Sequence, residues 1–282
     1  LPAVALRSGS MAAMKRWLSN LAALGVGLAV SVGAAELMLR LAGIQYPAFY
    51  SFDPERGYGL RPGAVGLWSR EGHGQVQINA AGFRGAPTSL KPQPGQLRLA
   101  VLGDSFTEAL QLDEPNTLVG QLQRQLAAAR QCRLTAGHPQ GVEVLNFGVG
   151  GYGTAQEWLT WRHLARAYRP DLVLLLVYPG NDLQDNEPIP RPDRPVARLA
   201  ADGQLVLDNS FRNTPAARWR TSFPGQLLEG LINHSRVLQL LNEGKNRLAN
   251  QAAPPRRALA GQPPATTPPA SAQAWAITDA LI

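Results

Sequence analysis

Three apolar segments that alternate with two amphipathic segments constrain the fold of this chain more than any other feature. The apolar segments are residues 97–103, 142–149 and 171–178. The amphipathic segments, 117–130 and 154–168, have apolar residues at helical spacing, and Asn116 is available to cap the first of them. This alternation predicts a parallel sheet with right-handed crossovers and helices on both faces. The third strand is so apolar that we expect both of its faces to be buried.

Each predicted strand ends in small or polar residues. The three ends are Gly103-Asp104-Ser105, the glycine-rich run 146–153, and Pro179-Gly180-Asn181-Asp182. The carboxyl ends of adjacent parallel strands meet at one edge of a sheet, where a hydroxyl, backbone N–H groups and a side-chain amide can converge. Acyl transfer needs these groups, as a nucleophile and as donors to an oxyanion. The alternative is structural, because Asp104 or Ser105 could simply cap the next helix.

The glycine-rich run also permits a dinucleotide-binding interpretation. Gly148, Gly150 and Gly153 have the spacing Gly-x-Gly-x-x-Gly, and Asp171 lies near the position of an acidic ribose ligand. Asp171 begins a strand, however, so its carboxylate would lie at the opposite edge of the sheet from the glycines. We therefore disfavour nucleotide binding.

A long apolar segment lies near the start of the sequence. Residues 17–35 are almost entirely apolar and follow Lys15 and Arg16. A segment of this length is just sufficient to cross a bilayer, and its basic flank is expected to stay in the cytoplasm. We predict a cytoplasmic segment 1–16 and a transmembrane signal-anchor helix 17–41. A cleaved signal peptide is the alternative, because residues 32–35 are small enough for a cleavage site; the charge asymmetry disfavours a buried soluble helix.

The remaining segments flank or interrupt the predicted sheet. Residues 46–95 are rich in Gly, Pro and aromatic residues and contain short alternating runs, which predict a small β-rich preface. We interpret Arg84 in this preface as structural rather than solvated. The main domain, 96–282, has an insertion at about 187–270. Its predicted parts are a hairpin at 196–207, a helix at 227–250 and a flexible connector at 252–270, after which another helix begins near Ser271.

Charge and composition exclude several classes of function. The net charge of +7 and the pI of about 10.1 are compatible with nucleic-acid binding. The arginines are scattered, however, and no nucleic-acid motif is present, so we expect no nucleic-acid partner. Cys132 is the only cysteine, which rules out an internal disulfide and a cysteine-based metal site. No cluster of metal-ligand residues is present, so we expect no metal and no cofactor.

The three strand ends, in this order and at this spacing, resemble the first three sequence blocks of the SGNH (GDSL-type) hydrolases. The preface and the anchor are similar to those of bacterial membrane-anchored members. The resemblance implies a flavodoxin-like fold, with Ser105 as nucleophile. It also implies an oxyanion hole formed by the Ser105 N–H, Gly151 and Asn181, in which Gly148 or Gly150 could replace Gly151. The supporting residues are Gly103, Asp104 and Asp182. Pro179 departs from the family, which has glycine there.

The same resemblance implies a catalytic base that this sequence does not show. The family has its catalytic base in an Asp-x-x-His block near the C-terminus, and none of the four histidines here has an Asp three positions before it. We expect His138 and His163 to lie on the surface and His234 to lie in the insertion. The interpretation is that the hydrolase domain is C-terminally incomplete, with its catalytic Asp and His outside this chain. Without a base Ser105 is a poor nucleophile, so the fragment should be nearly inactive.

Together these features predict a serine ester hydrolase in the bacterial inner membrane. Its catalytic domain would face the periplasm or the cell exterior and act on acyl esters, O-acetyl groups of an envelope or exported polysaccharide in particular. Two alternatives remain open: a polysaccharide O-acetyltransferase, and a non-catalytic glycan-binding or assembly protein. The sequence contains no signal for the oligomeric state.

Overall fold

The computed structural model describes residues 7–129, 132–180, 182–187, 189–252 and 271–282. The strands are β1 (Tyr50–Asp53), β2 (Gly57–Leu60), β3 (Val65–Trp68), β4 (Gly74–Gln77), β5 (Leu97–Gly103), β6 (Val142–Asn146), β7 (Leu172–Leu176), β8 (Val196–Leu199) and β9 (Leu205–Asp208). The helices are α1 (Arg7–Leu41), α2 (Ser105–Glu108), α3 (Leu118–Ala128), α4 (Thr154–His163), α5 (Asp182–Asp185), α6 (Pro215–Thr221), α7 (Phe223–His234), α8 (Arg236–Ala252) and α9 (Ala272–Leu281).

A parallel three-stranded sheet in the order β6-β5-β7 forms the centre of the main domain. Side chains alternate along β5, so its two faces have different partners. Ala100 and Leu102 pack on the side of Phe147 and Tyr168, whereas Leu97 and Leu99 pack on the side that α3 covers. The predicted α/β class and the parallel sheet are confirmed.

The third strand, β7, differs from the prediction that both of its faces are buried. Leu172 is 37% exposed and Val173 is 38% exposed. Among the described strands β7 pairs only with β5, so it lies at an edge of the sheet. Its apolar sequence predicted the strand correctly. The solvent exposure of its side chains depends on which other elements pack against it, and the strand's own sequence does not determine that.

The preface consists of two antiparallel pairs, β1-β2 and β3-β4. Its apolar residues join residues of the main domain in one hydrophobic cluster, which contains Phe49, Leu60, Ala64, Val76, Ile78, Leu110, Val149 and Tyr152. Because Val149 and Tyr152 belong to the glycine-rich run, the preface packs directly against the carboxyl edge of the sheet.

Several helix boundaries correct the sequence-based expectations. Thr117, not Asn116, caps α3, because its hydroxyl accepts a hydrogen bond from Gly120 N. The single helix expected at 227–250 is two helices, α7 and α8. Ser235 separates them in an extended conformation, and its Oγ accepts a hydrogen bond from Leu238 N. The hairpin β8-β9 and the helix after Ser271 are confirmed, whereas residues 253–270 of the expected connector lie outside the described residues.

The N-terminal helix α1 begins ten residues before the predicted anchor and ends, as expected, at Leu41. Its part from Met14 to Leu41 is long and apolar enough to cross a membrane, with a mean hydropathy of 1.8. The Glu36 carboxylate accepts hydrogen bonds from Ser235 Oγ and from the first two backbone N–H groups of α8. This contact joins the end of α1 to the helices of the insertion.

Candidate active site

Ser105 follows directly after the carboxyl end of β5 and is the first residue of the short helix α2. Its side chain is exposed, and among the described residues its Oγ makes no hydrogen bond. Asp104 is buried and caps the helix, with Oδ1 accepting a hydrogen bond from Phe106 N at 2.9 Å. The capping interpretation is therefore right for Asp104 and wrong for Ser105.

Gly103 has to be glycine because the chain turns tightly at this point. A Cβ atom on Gly103 would lie 2.1 Å from Thr107 Oγ1. Its carbonyl accepts a hydrogen bond from Val149 N at 3.0 Å, which ties the end of β5 to the glycine-rich run. The first and second strand ends therefore meet, as the sequence predicted.

Asn146, the last residue of β6, fixes the glycine-rich run against α2. Its Nδ2 donates to Thr107 O at 2.8 Å, and its Oδ1 accepts from Gly148 N at 3.0 Å. A Cβ atom on Gly148 would lie 2.5 Å from Glu108 N, so the loop backbone touches the turn that carries Ser105. Any side chain at position 148 would push the two apart.

The N–H groups of the three candidate oxyanion glycines have different partners. The N–H of Gly148 donates to Asn146 Oδ1, and the N–H of Gly150 faces the Glu108 carboxylate, whose pKa it lowers. The N–H of Gly151 donates to no acceptor among the described residues, and Gly151 is exposed, with a φ of +75°. Of the alternatives that the sequence left open, Gly151 is therefore the glycine whose N–H is available.

Three residues that sequence reasoning missed hold the glycine-rich run in place. Tyr50 donates its hydroxyl hydrogen bond to Glu108 Oε2 at 2.8 Å, Tyr58 donates to Gly150 O at 3.0 Å, and Arg194 donates to Gly151 O at 2.7 Å. Two of these residues come from the preface and one from the segment before β8. No local pattern marks them, because each lies tens of residues from its partner in sequence.

Glu108 was also missed, although it follows Ser105 by only three positions. It is 3% exposed, and burial raises its pKa to about 7 despite hydrogen bonds from Gly150 N and Tyr50 and the nearby Arg84 guanidinium. The sequence signal for its burial was its position among apolar neighbours, since Phe106 precedes it and Ala109 and Leu110 follow it. It is a positioning group, because it holds both the loop and the preface.

Arg84 is buried and binds the turn that follows Ser105. Its guanidinium donates to Glu108 O at 2.8 Å, to Ala109 O and to Leu112 O at 2.5 Å. The interpretation of Arg84 as structural is confirmed, and the solvated alternative is wrong. Ala109 has a φ of +52°, so Arg84 stabilises a backbone turn that alanine rarely adopts.

The third strand end contributes a buried acidic group. Asp182 Oδ2 accepts a hydrogen bond from Tyr178 N at 2.5 Å. Burial and the carboxylates of Asp104 and Asp185 raise the pKa of Asp182. Asn181, predicted as an oxyanion donor, lies outside the described residues. The ring of Phe106 lies 5.1 Å from that of Tyr178, so this strand end also reaches the turn that carries Ser105.

Glu157 of α4 faces the same acidic group and is 1% exposed. Burial and the charges of Asp182 and Asp104 raise its pKa, and neither of its carboxyl oxygens has a hydrogen-bond partner among the described residues. Within this part of the chain, no group of His, Cys, Asp or Glu side chains is arranged to hold a metal ion.

The histidines do not contact Ser105 within the described residues. His163 lies 3.9 Å from Glu55, and His234 Nδ1 contacts Gly230 O at the end of α7. His138 lies in the loop that precedes β6, at the amino end of the sheet. Asp171 Oδ2 accepts from Arg98 N, which places Asp171 at that amino end as well, away from the glycine-rich run. This position disfavours a ribose contact.

Comparison with protein-family models and with curated proteins gives no match to this chain. Any assignment of function therefore depends on the site itself.

Proposed function

We propose that this chain is an SGNH-type serine ester hydrolase, anchored by α1 and acting on O-acyl esters outside the cytoplasmic membrane. The observation that carries the proposal is the exposed Ser105 at the carboxyl end of the central strand, in a turn against which the glycine-rich run packs directly. The strand order β6-β5-β7 supports it, because second-first-third is the order with which a flavodoxin-like sheet begins.

In the proposed reaction Ser105 Oγ attacks the acyl carbonyl carbon. The N–H groups of Ser105 and Gly151, together with Asn181, stabilise the oxyanion. The bond from the acyl carbon to the alcohol oxygen then breaks, and the alcohol leaves with the proton that the base took from Ser105. Water repeats the sequence on the acyl-enzyme and releases the acid. None of the described histidines contacts Ser105, so in this proposal a residue outside the described ones supplies the base.

The test is acetate release from p-nitrophenyl acetate and from an O-acetylated glycan, by the protein expressed from its complete gene in membranes. Ser105→Ala should lower the rate by at least about 10³-fold without lowering stability. Ser89→Ala, at an exposed serine of the preface, is the matched control and should leave the rate unchanged. An unchanged rate in Ser105→Ala would refute the proposal.

The same assay separates hydrolysis from acetyl transfer. An unacetylated glycan is supplied as a second acceptor, and both acetate and acetylated glycan are measured. Acetylated glycan forming faster than acetate would replace the hydrolase with an acetyltransferase that uses the same Ser105. A cellular phenotype that survives Ser105→Ala would favour the glycan-binding or assembly protein.

A further inference from the structure

An apolar stripe runs along α6 and α7. It consists of Trp219, Phe223, Leu227 and Leu231, which are 52%, 78%, 52% and 52% exposed. These four residues, called the α6–α7 stripe below, are spaced four positions apart, so the three on α7 lie on one side of that helix. Large apolar side chains exposed in a continuous row are typical of an interaction surface.

The opposite side of α7 packs against the rest of the protein. Gly225 is buried, and a Cβ atom there would lie 2.0 Å from Trp219 O. Ile232 is half-buried and lines a cavity that Phe49 and Trp68 also line. The α6–α7 stripe therefore points away from the protein core.

The end of the stripe at Leu231 lies beside the helix that could cross a membrane. An open groove separates α7 from α1, and the side chains of Leu231 and His234 line it opposite Gly25, Leu28, Ala29 and Val32. Arg40 donates a hydrogen bond to His234 O at 2.7 Å, and Glu36 accepts hydrogen bonds from the beginning of α8. The end of α7 is thus fixed beside α1.

The length of the apolar part of α1 gives the depth of this contact. Residues 17–35 extend over about 28 Å as a helix, close to the hydrocarbon thickness of a bilayer of about 30 Å. Glu36 then lies at the membrane–water boundary on the side opposite the N-terminal end of α1. Leu231 lies opposite Val32 and Leu28, which are four and eight residues before Glu36, so the end of the stripe lies about 6–12 Å inside that boundary.

The charges around the stripe fit the surface of an anionic bilayer. Arg218 and Arg220 are exposed on either side of Trp219. The one acidic residue in 215–231, Glu229, lies by its helical position on the side of α7 away from the stripe. Tryptophan and arginine at the end of an apolar helix face are typical of helices that lie in a membrane interface.

We propose that the α6–α7 stripe inserts into the headgroup–acyl boundary of the same bilayer that α1 crosses. The protein is then held to the membrane at two places, which fixes the orientation of the catalytic domain above it. The inference depends on the membrane-crossing part of the proposed function and not on ester hydrolysis.

The test uses labels attached to single cysteines. In a Cys132→Ser background, Phe223→Cys and Leu227→Cys are each labelled with an environment-sensitive fluorophore. The protein is reconstituted in vesicles of phosphatidylethanolamine and phosphatidylglycerol, with or without brominated phosphatidylcholine. Both labels should show blue-shifted emission and lose intensity to the brominated lipid. Val26→Cys on α1 is the positive control, and Val65→Cys, on an exposed position of β3, should not be quenched.

Quenching at Val26→Cys without quenching at positions 223 and 227 overturns the proposal and leaves membrane anchoring intact. Disulfide cross-linking between two copies through Phe223→Cys, without lipid quenching, also overturns it, because a second copy then covers the stripe. Absence of quenching at Val26→Cys overturns both the anchor and the stripe. None of these outcomes depends on esterase activity, so failure here is distinct from failure of the hydrolase assignment.

Discussion

The two sides of the candidate site contain glutamates that are equally buried and differently surrounded. On the β5–β6 side, Glu108 Oε2 accepts a hydrogen bond from Tyr50, and only Oε1 lacks a hydrogen-bond partner among the described residues. The N–H of Gly150 also faces this carboxylate and lowers its pKa. On the β7 side, neither carboxyl oxygen of Glu157 has a hydrogen-bond partner among the described residues, and its neighbours are the acidic Asp104 and Asp182. Burial raises the pKa of both glutamates, but only Glu108 has hydrogen bonds and a nearby guanidinium that oppose the increase.

The difference shows which of the two buried glutamates is better supported by hydrogen bonds. A buried polar group with its hydrogen bonds satisfied rigidifies its surroundings, whereas a buried group without them costs stability. The β5–β6 side, with Ser105, Gly151 and their supports, is therefore preorganised by this part of the chain. On the β7 side, Asp182 accepts a hydrogen bond from Tyr178 N, but Glu157 has no such support among the described residues.

The largest effect should come from removing the buried cation of the β5–β6 side. Arg84→Met leaves three carbonyl oxygens without their donor, so we expect the free energy of unfolding to fall by about 3–5 kcal/mol. Urea unfolding in mild detergent, followed by tryptophan fluorescence, measures this change. Arg124→Met, at an exposed arginine of α3, is the control and should change stability by less than about 0.5 kcal/mol. Equal effects of the two variants would mean that Arg84 does not hold the turn.

The pH dependence of stability should be the next largest effect. The pKa of Glu108 rises from 4.5 to about 7 in the folded protein. Between these values the folded state binds more protons than the unfolded state, so stability is greatest below pH 4.5 and decreases as the pH rises towards 7. The full decrease from this group is about 3 kcal/mol.

Between pH 4.5 and 7 the slope of the unfolding free energy against pH reports how many more protons the folded state binds than the unfolded state. Glu108→Gln should reduce that number by up to one. Glu143→Gln, on the half-buried end of an ion pair with Arg98, is the comparison and should leave this part of the slope in place. An unchanged slope in Glu108→Gln would show that Glu108 titrates normally.

The smallest effects are expected when Glu108 and Glu157 are each replaced by leucine. Glu108→Leu should lower stability at pH 7 by about 2 kcal/mol, because Tyr50 and Gly150 N lose their acceptor. Glu157→Leu should instead raise it by about 1–2 kcal/mol, because an unpaired buried acid is replaced by an apolar side chain of similar volume. Both changes are read from the same unfolding curves. Destabilisation by Glu157→Leu would mean that the β7 side is as well supported as the β5–β6 side.

Much of the fold could be predicted because its signals are local. The apolar strands, the amphipathic helices and the turn of the β8-β9 hairpin each depend on periodicities of two or 3.6 residues and on turn residues within a short window. The meeting of the first two strand ends followed from the rule that parallel strands share their carboxyl edge. Helix ends were less certain, because Thr117 and Asn116 are both good caps and Ser235 interrupts an otherwise continuous apolar pattern.

What the sequence by itself determined was the order of strands and helices and the position of Ser105 directly after a buried strand, since both depend on neighbours in the chain. Only the tertiary structure decided which glycine N–H is available, which of the two buried glutamates accepts hydrogen bonds, and which face of β7 and of α7 is left exposed. Those properties depend on contacts such as Tyr50 with Glu108 and Arg194 with Gly151, whose partners are 58 and 43 positions apart. No short-range pattern encodes such contacts, because they form only when distant segments pack together.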